Sequence, residues 1–247
     1  MTQGTHATSP NPLSVRLGFW SAFLIAVAFV VFTVCFVAIA LTPPLFMWTN
    51  LADFVTYAGQ RSQVFQQLAR LTMLAFGPLF VVLLNSLFDY APPEKRVLVQ
   101  IAVCFGVAFA ALTGLHYFVQ LSTVRLSLLR GELNGLEQVV QANPISAFSA
   151  TNMLGWTVFL GLSSLFVAPV FTGSRLETAI RIAFLVNGLC CLLGGVGYVL
   201  DLTPLVFVTI NLGMGGAVLI AAILLCFLFR RLGQIDIVTA RSAGTPR

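Results

Sequence analysis

Six stretches of this chain contain no Asp, Glu, Lys or Arg, and they constrain its architecture more than any other feature. They cover residues 17–52, 71–88, 97–124, 138–174, 182–200 and 202–229. A charge at the centre of a bilayer is expensive, whereas about 20 apolar residues suffice for a helix to cross ~30 Å of hydrocarbon. Each interval reaches or nears that length, so six spanning helices are predicted. The composition agrees: 58% of the 247 residues are hydrophobic and 9% are charged, against about 25% charged in an ordinary soluble domain. These figures exclude a soluble enzyme, a disordered protein and a disulfide scaffold. The expected fold class is all-α, a polytopic transmembrane bundle of six helices at residues 16–232. A disordered tail precedes it at residues 1–15, rich in Thr, Ser, Pro and Asn, and a short tail follows at 233–247.

The 13 basic residues divide unevenly between the two faces that six spans create. Arg16, Lys95, Arg96, Arg175, Arg181, Arg230, Arg231, Arg241 and Arg247 fall on the face of the N-terminus. Arg61, Arg70, Arg125 and Arg130 fall on the other. A nine-to-four excess predicts that both termini are cytoplasmic in a cell inner membrane. The net charge of +5 is therefore a topology signal, and no aromatic-interleaved basic patch argues for nucleic acid. Ala38-Ile39-Ala40 resembles a signal-peptidase site, but residues 17–37 outrun a typical leader and only Arg16 charges its start, which favours a retained helix.

The connections carry their own patterns. In the first outer loop, Leu51, Phe54, Val55 and Ala58 share a helical face behind Thr49 as the expected N-cap, predicting a short interfacial helix. Gly77-Pro78 should kink the second span, and Pro92-Pro93 should break the chain after it. Leu126, Leu129, Leu133, Leu136 and Val140 repeat at helical spacing, so residues 124–141 are expected to extend the third helix past the membrane. Asn143-Pro144 should open the fourth. The glycines of the last two helices, among them Gly188, Gly194 and Gly213, predict close helix packing.

Several chemistries lack their residues. The single lysine, Lys95, lies in a turn, which removes an intramembrane Schiff base, and no Gly-Lys-Ser/Thr loop exists. His6 and His116 are the only histidines, and no His, Cys or carboxylate cluster has the spacing of a metal site. No cofactor is therefore expected. The five cysteines lie within spans and act as small hydrophobes. Gly161-Leu162-Ser163-Ser164 lacks the glycine that would complete a nucleophile turn.

One polar feature is organised. Thr113, His116, Gln120, Thr123 and Ser127 fall within about 80° of the third helix, flanked by Tyr117, and His116 lies roughly 30 Å along the helix from Arg96, near the outer boundary. Gln66, Arg70, Asn152, Tyr198, Asp201 and Asn211 reach similar depth on other helices. Arg70, Thr113, His116, Gln120, Asn152 and Asp201 are the candidate ligand-binding residues. The same residues can instead satisfy one another as struts, with Asp201 paired to Arg70 or Arg125. The stretch His116–Ser122 through Val124-Arg125, with Gly131-Glu132, Asn143-Pro144 and residues 168–171, resembles a family of bacterial six-helix multipass membrane proteins without assigned activity. That resemblance spans the central and C-terminal two-thirds and implies a bacterial source and a six-helix domain. The function expected is non-enzymatic: binding of a small or lipid-like ligand, or of a membrane partner or second copy, at the outer face. A small secondary transporter is the alternative, and an intramembrane enzyme using His116 with Asp201 is third.

Overall fold

The computed structural model describes residues 11–41, 46–60 and 62–243, with side chains to residue 234. Among these it contains helices and no strand. Six helices are long and apolar enough to cross a membrane: α1 (Pro12–Leu41), α3 (Val64–Tyr90), α4 (Pro93–Arg130), α5 (Ala147–Val170), α6 (Arg175–Val199) and α7 (Thr203–Gln234). Between the first two of these lies the short helix α2 (Leu51–Gly59). The chain is thus an all-α polytopic bundle, as the charge-free intervals require. One face holds the start of α1 and the end of α7, and is called the termini face below. The loop face opposite it carries α2, the α4–α5 connection and the α6–α7 turn.

The spanning helices pack in chain order, each against its sequence neighbour, and α7 returns to α1 to close a six-membered ring. Aromatic side chains fill its centre. Phe76 of α3 stacks on Trp156 of α5 at 5.7 Å between centroids, and Phe109 of α4 meets both edge-on at 5.5 and 5.0 Å. Such contacts matter because lipid is as apolar as the helices, so van der Waals fit rather than burial from water drives helix association. Glycine provides the closest approach. A methyl group added at Gly188 of α6 would sit 2.5 Å from Leu165 Cγ and 2.9 Å from the carbonyl oxygen of Gly161 on α5. The small-residue packing expected of the later helices is present.

Several boundaries differ from the sequence reading. α1 already begins at Pro12, and residues 1–10 of the expected tail lie outside the described residues. The helix of α7 continues to Ala243, through most of the expected C-terminal tail, while residues 244–247 lie outside the described residues. The N-cap of α2 is Asn50, whose side chain accepts from the Asp53 N–H at 2.9 Å, while Thr49 donates to the Asp53 carboxylate. Pro78 sits inside an α3 that continues to Tyr90. The extension of α4 stops at Arg130, because Gly131 adopts φ 71° and ends the helix in a left-handed cap. Gly135 turns the chain again at φ 72°, so the two glycines are turn residues and not a helix-packing motif. Leu136 and Val140 then bury against Phe54 of α2 and Val124, forming a small second core on the loop face. α5 opens later than Asn143-Pro144, at Ala147 behind an N-cap from Ser146.

The termini face is locked by polar contacts. Lys95 donates to the Pro169 carbonyl and to the Thr172 hydroxyl, both at 2.9 Å. Tyr90 donates to the Glu177 carboxylate, whose other oxygen accepts the Ser174 N–H in a capping box that starts α6.

Candidate functional site

The loop-face ends of α3, α4 and α5 bring together a buried polar layer. Thr113, His116 and Gln120 occupy one face of α4, and all three are buried, as is Asn152 of α5. The periodicity behind that face survives into a π-helical turn, Gln120–Val124, and the facing helix carries another at Gly155–Phe159. Such turns widen the helix and re-aim side chains, and they recur at functional sites. Tyr117 lies just before the first of these turns and Trp156 within the second.

Gln120 is fully engaged. Its Nε2 donates to the Val139 carbonyl at 2.5 Å and its Oε1 accepts the Gln141 N–H at 3.1 Å. The Gln141 side chain in turn accepts from Nε of Arg70 at 3.1 Å. These bonds stitch the α4–α5 connection onto the helix ends as a cap. Thr113 donates to the Phe109 carbonyl of its own helix. Gln120 and Thr113 therefore serve as satisfied struts.

His116 and Asn152 are different. The His116 ring is 1% exposed, stacked on Phe148 at 5.6 Å and edge-on to Tyr117 at 5.2 Å. Its Nδ1 lies 3.3 Å from the Phe148 carbonyl, which fixes the proton on that nitrogen, and Nε2 meets nothing. The Tyr117 hydroxyl meets the side chains of Asn152 and Trp156, and Arg70 acts electrostatically on both Tyr117 and His116. Oδ1 of Asn152 has no partner. Neither has Oε1 of Gln67, one turn before Arg70 on α3. Four buried side-chain atoms among the described residues lack a hydrogen bond, and three of them, on Gln67, His116 and Asn152, belong to the loop-face halves of α3, α4 and α5. Leaving such atoms unpaired costs about 1–3 kcal/mol each, so something polar normally answers them.

Arg70 is half-buried, and among the described residues it has no carboxylate partner. Among the described residues no ion pair joins it or Arg125 to Asp201. Arg125 donates from Nε to the Leu121 carbonyl of its own helix at 3.1 Å. Asp201 is exposed in the α6–α7 turn with φ 55°, a left-handed conformation that Asp tolerates better than most residues. The turn carries it out of the layer, and Asn211 also points outward. Tyr198 remains near, donating to the Pro144 carbonyl at 2.5 Å. The layer thus joins Arg70, Thr113, His116, Gln120 and Asn152, and leaves Asp201 outside. Sequence reasoning missed Gln67 and Trp156. Gln67 was accessible through its i,i+3 relation to Arg70.

Two hollows lie elsewhere. A cavity of about 10 Å³ sits between α1, α3, α6 and α7 and is lined in part by Asn187, whose buried Oδ1 has no partner while its Nδ2 donates to Ser164 at 2.6 Å. A groove of about 420 Å³, walled by apolar side chains, runs between α6 and α7. Comparison with known protein families, with curated proteins and with solved structures finds no match.

Proposed function

We propose that this protein is a non-enzymatic bacterial inner-membrane protein, with both termini cytoplasmic, that binds a small or lipid-like ligand at its outer face. The observation that carries the reading is the coincidence of three unpartnered buried atoms, on Gln67, His116 and Asn152, with an arginine, Arg70, that no carboxylate of the described residues neutralises. Buried polar atoms of this kind are answered by ordered water or by a ligand, and three of them toward one end of the bundle beside an arginine favour a ligand. The basic-residue asymmetry supports the orientation, and the resemblance noted above supports the bacterial source. Transport is the weaker reading, because the ring's centre is packed with Phe76, Phe80, Phe109 and Leu225 and offers a polar solute no continuous path. A second copy or a partner protein is the weaker reading, because His116 and Asn152 are buried and offer no surface to another chain.

Native mass spectrometry of the purified protein tests the reading. The wild type should retain a bound mass that His116→Phe loses, since phenylalanine keeps the ring stacking but offers no Nε2. A wild type that carries only water and detergent, with no difference in the variant, would overturn the proposal. Reporter fusions at Arg247 test the orientation, and only a cytoplasmic reporter should be active there.

A further inference from the structure

The open groups in the loop-face layer are of two kinds, and together they restrict the chemistry of what answers them. Arg70 spends Nε on Gln141, which orients the guanidinium and leaves its Nη donors and its charge unclaimed by any carboxylate. A planar guanidinium so held suits a phosphate, which it can bind through two parallel N–H bonds. Gln67 and Asn152 present carbonyl oxygens, which require O–H or N–H donors. A simple anion would satisfy Arg70 and leave both oxygens open. A neutral alcohol would do the reverse.

Position adds a second constraint. Arg70 lies six residues into α3, about 9 Å below its loop-face end, the depth at which headgroups meet acyl chains. Phe65, Leu68 and Leu71 on the same turns are exposed, while Arg70 and Gln67 are half-buried and Oε1 of Gln67 itself is closed off, so a headgroup donor meets that oxygen only as the Gln67 amide turns toward the acyl side. Gln67 and Arg70 are one helical turn apart on one face, ~5 Å, a gap that a two-carbon arm between phosphate and donor can span.

Resting on the reading that this layer binds a ligand, we infer that the ligand is a phosphate ester whose alcohol carries its own hydrogen-bond donor, of the phosphoethanolamine or phosphoglycerol class. The phosphate sits on Arg70 and the ammonium or hydroxyl on Gln67 Oε1, with the inner polar wall of His116 and Asn152 behind them.

The test uses the full chain in detergent, titrated with phosphatidylethanolamine, phosphatidylglycerol and phosphatidylcholine of identical acyl chains, and with free phosphoethanolamine and glycerol phosphate. Binding is read by native mass spectrometry and by the melting temperature. Phosphatidylcholine carries the same phosphate diester but no N–H or O–H donor, so it should bind about tenfold or more weakly than the other two lipids. Gln67→Leu should erase that preference, and Arg70→Gln should weaken all three lipids by about tenfold, with Arg70→Lys falling between. Saturation by the free esters that lipid cannot displace would assign the site to a soluble ligand of the same class. Equal affinity for phosphatidylcholine and phosphatidylethanolamine in the wild type, which requires no variant to fold, would overturn the inference. Retention of a phosphate-free mass that depends on His116 would also overturn it while leaving the binding reading intact, whereas no His116-dependent mass at all would remove both.

Discussion

Gln120 grips Val139 and the residue two places on by their backbones, donating to the Val139 carbonyl at 2.5 Å and accepting the Gln141 N–H at 3.1 Å. One side chain at the end of a membrane helix thereby fixes the whole α4–α5 connection. Gln120→Leu should unpair two backbone groups and lower stability by about 1–3 kcal/mol. It should also speed tryptic cleavage at the exposed Arg130. An unchanged melt and an unchanged cleavage rate would mean that the Leu136 and Val140 contacts hold the connection alone.

His116 separates packing from polarity. His116→Ala removes a fully buried ring from between Phe148 and Tyr117 and should cost about 2 kcal/mol or more. His116→Phe should melt closer to the wild type. If both melt alike, the ring's stacking is not what the fold requires of it.

Asn187 offers a change that stabilises. Its Oδ1 is buried and unpaired beside an apolar cavity, and leucine, which has the same branched shape, leaves no polar atom to satisfy. The Ser164 hydroxyl can turn to a carbonyl of its own helix. Asn187→Leu should melt at or above the wild-type temperature. Ser164→Ala, which orphans the Asn187 amide, should lower it by about 1–3 kcal/mol. Loss of stability in Asn187→Leu would indicate that the amide has a tenant in the cavity.

Gly188 and Gly114 form a matched pair of tests. An added methyl at Gly188 meets Leu165 and the Gly161 carbonyl, so Gly188→Ala should push α5 and α6 apart at a cost of about 1–3 kcal/mol. An added methyl at Gly114 meets nothing within 4 Å, and Gly114→Ala should be neutral or mildly stabilising. Equal effects at the two sites would refute the close approach of α5 and α6.

The spans were legible because charge is so costly in hydrocarbon that its absence marks them without reference to neighbours. The polar stripe on α4 was legible for the same reason, since Thr113, His116 and Gln120 repeat at helical spacing. What failed was judgement of the connections. Leu126, Leu129, Leu133, Leu136 and Val140 keep helical spacing through Gly131 and Gly135, and that spacing outweighed the two glycines, although a left-handed glycine ends a helix whatever follows it. Asp201 misled for a related reason. Its charge near the boundary suggested a buried partner, yet the turn's backbone carries it into the open. Roles that depend on which atoms remain unpaired, as with Gln67 and Asn152, exist only once three helices are set side by side.

The closed ring has a consequence for biogenesis. Because each helix docks on the one made just before it, the first five can assemble as hairpins while the chain is still being inserted, with little long-range search. The final seam is the exception. Gly18 must receive the ring of Phe229, and Val15 must come within reach of Gly233, across nearly the full length of the polypeptide. Until synthesis reaches α7, the inner flank of α1 stays open to lipid, so a ribosome stalled before that point would leave a bundle with an unsealed side, a natural substrate for membrane quality control.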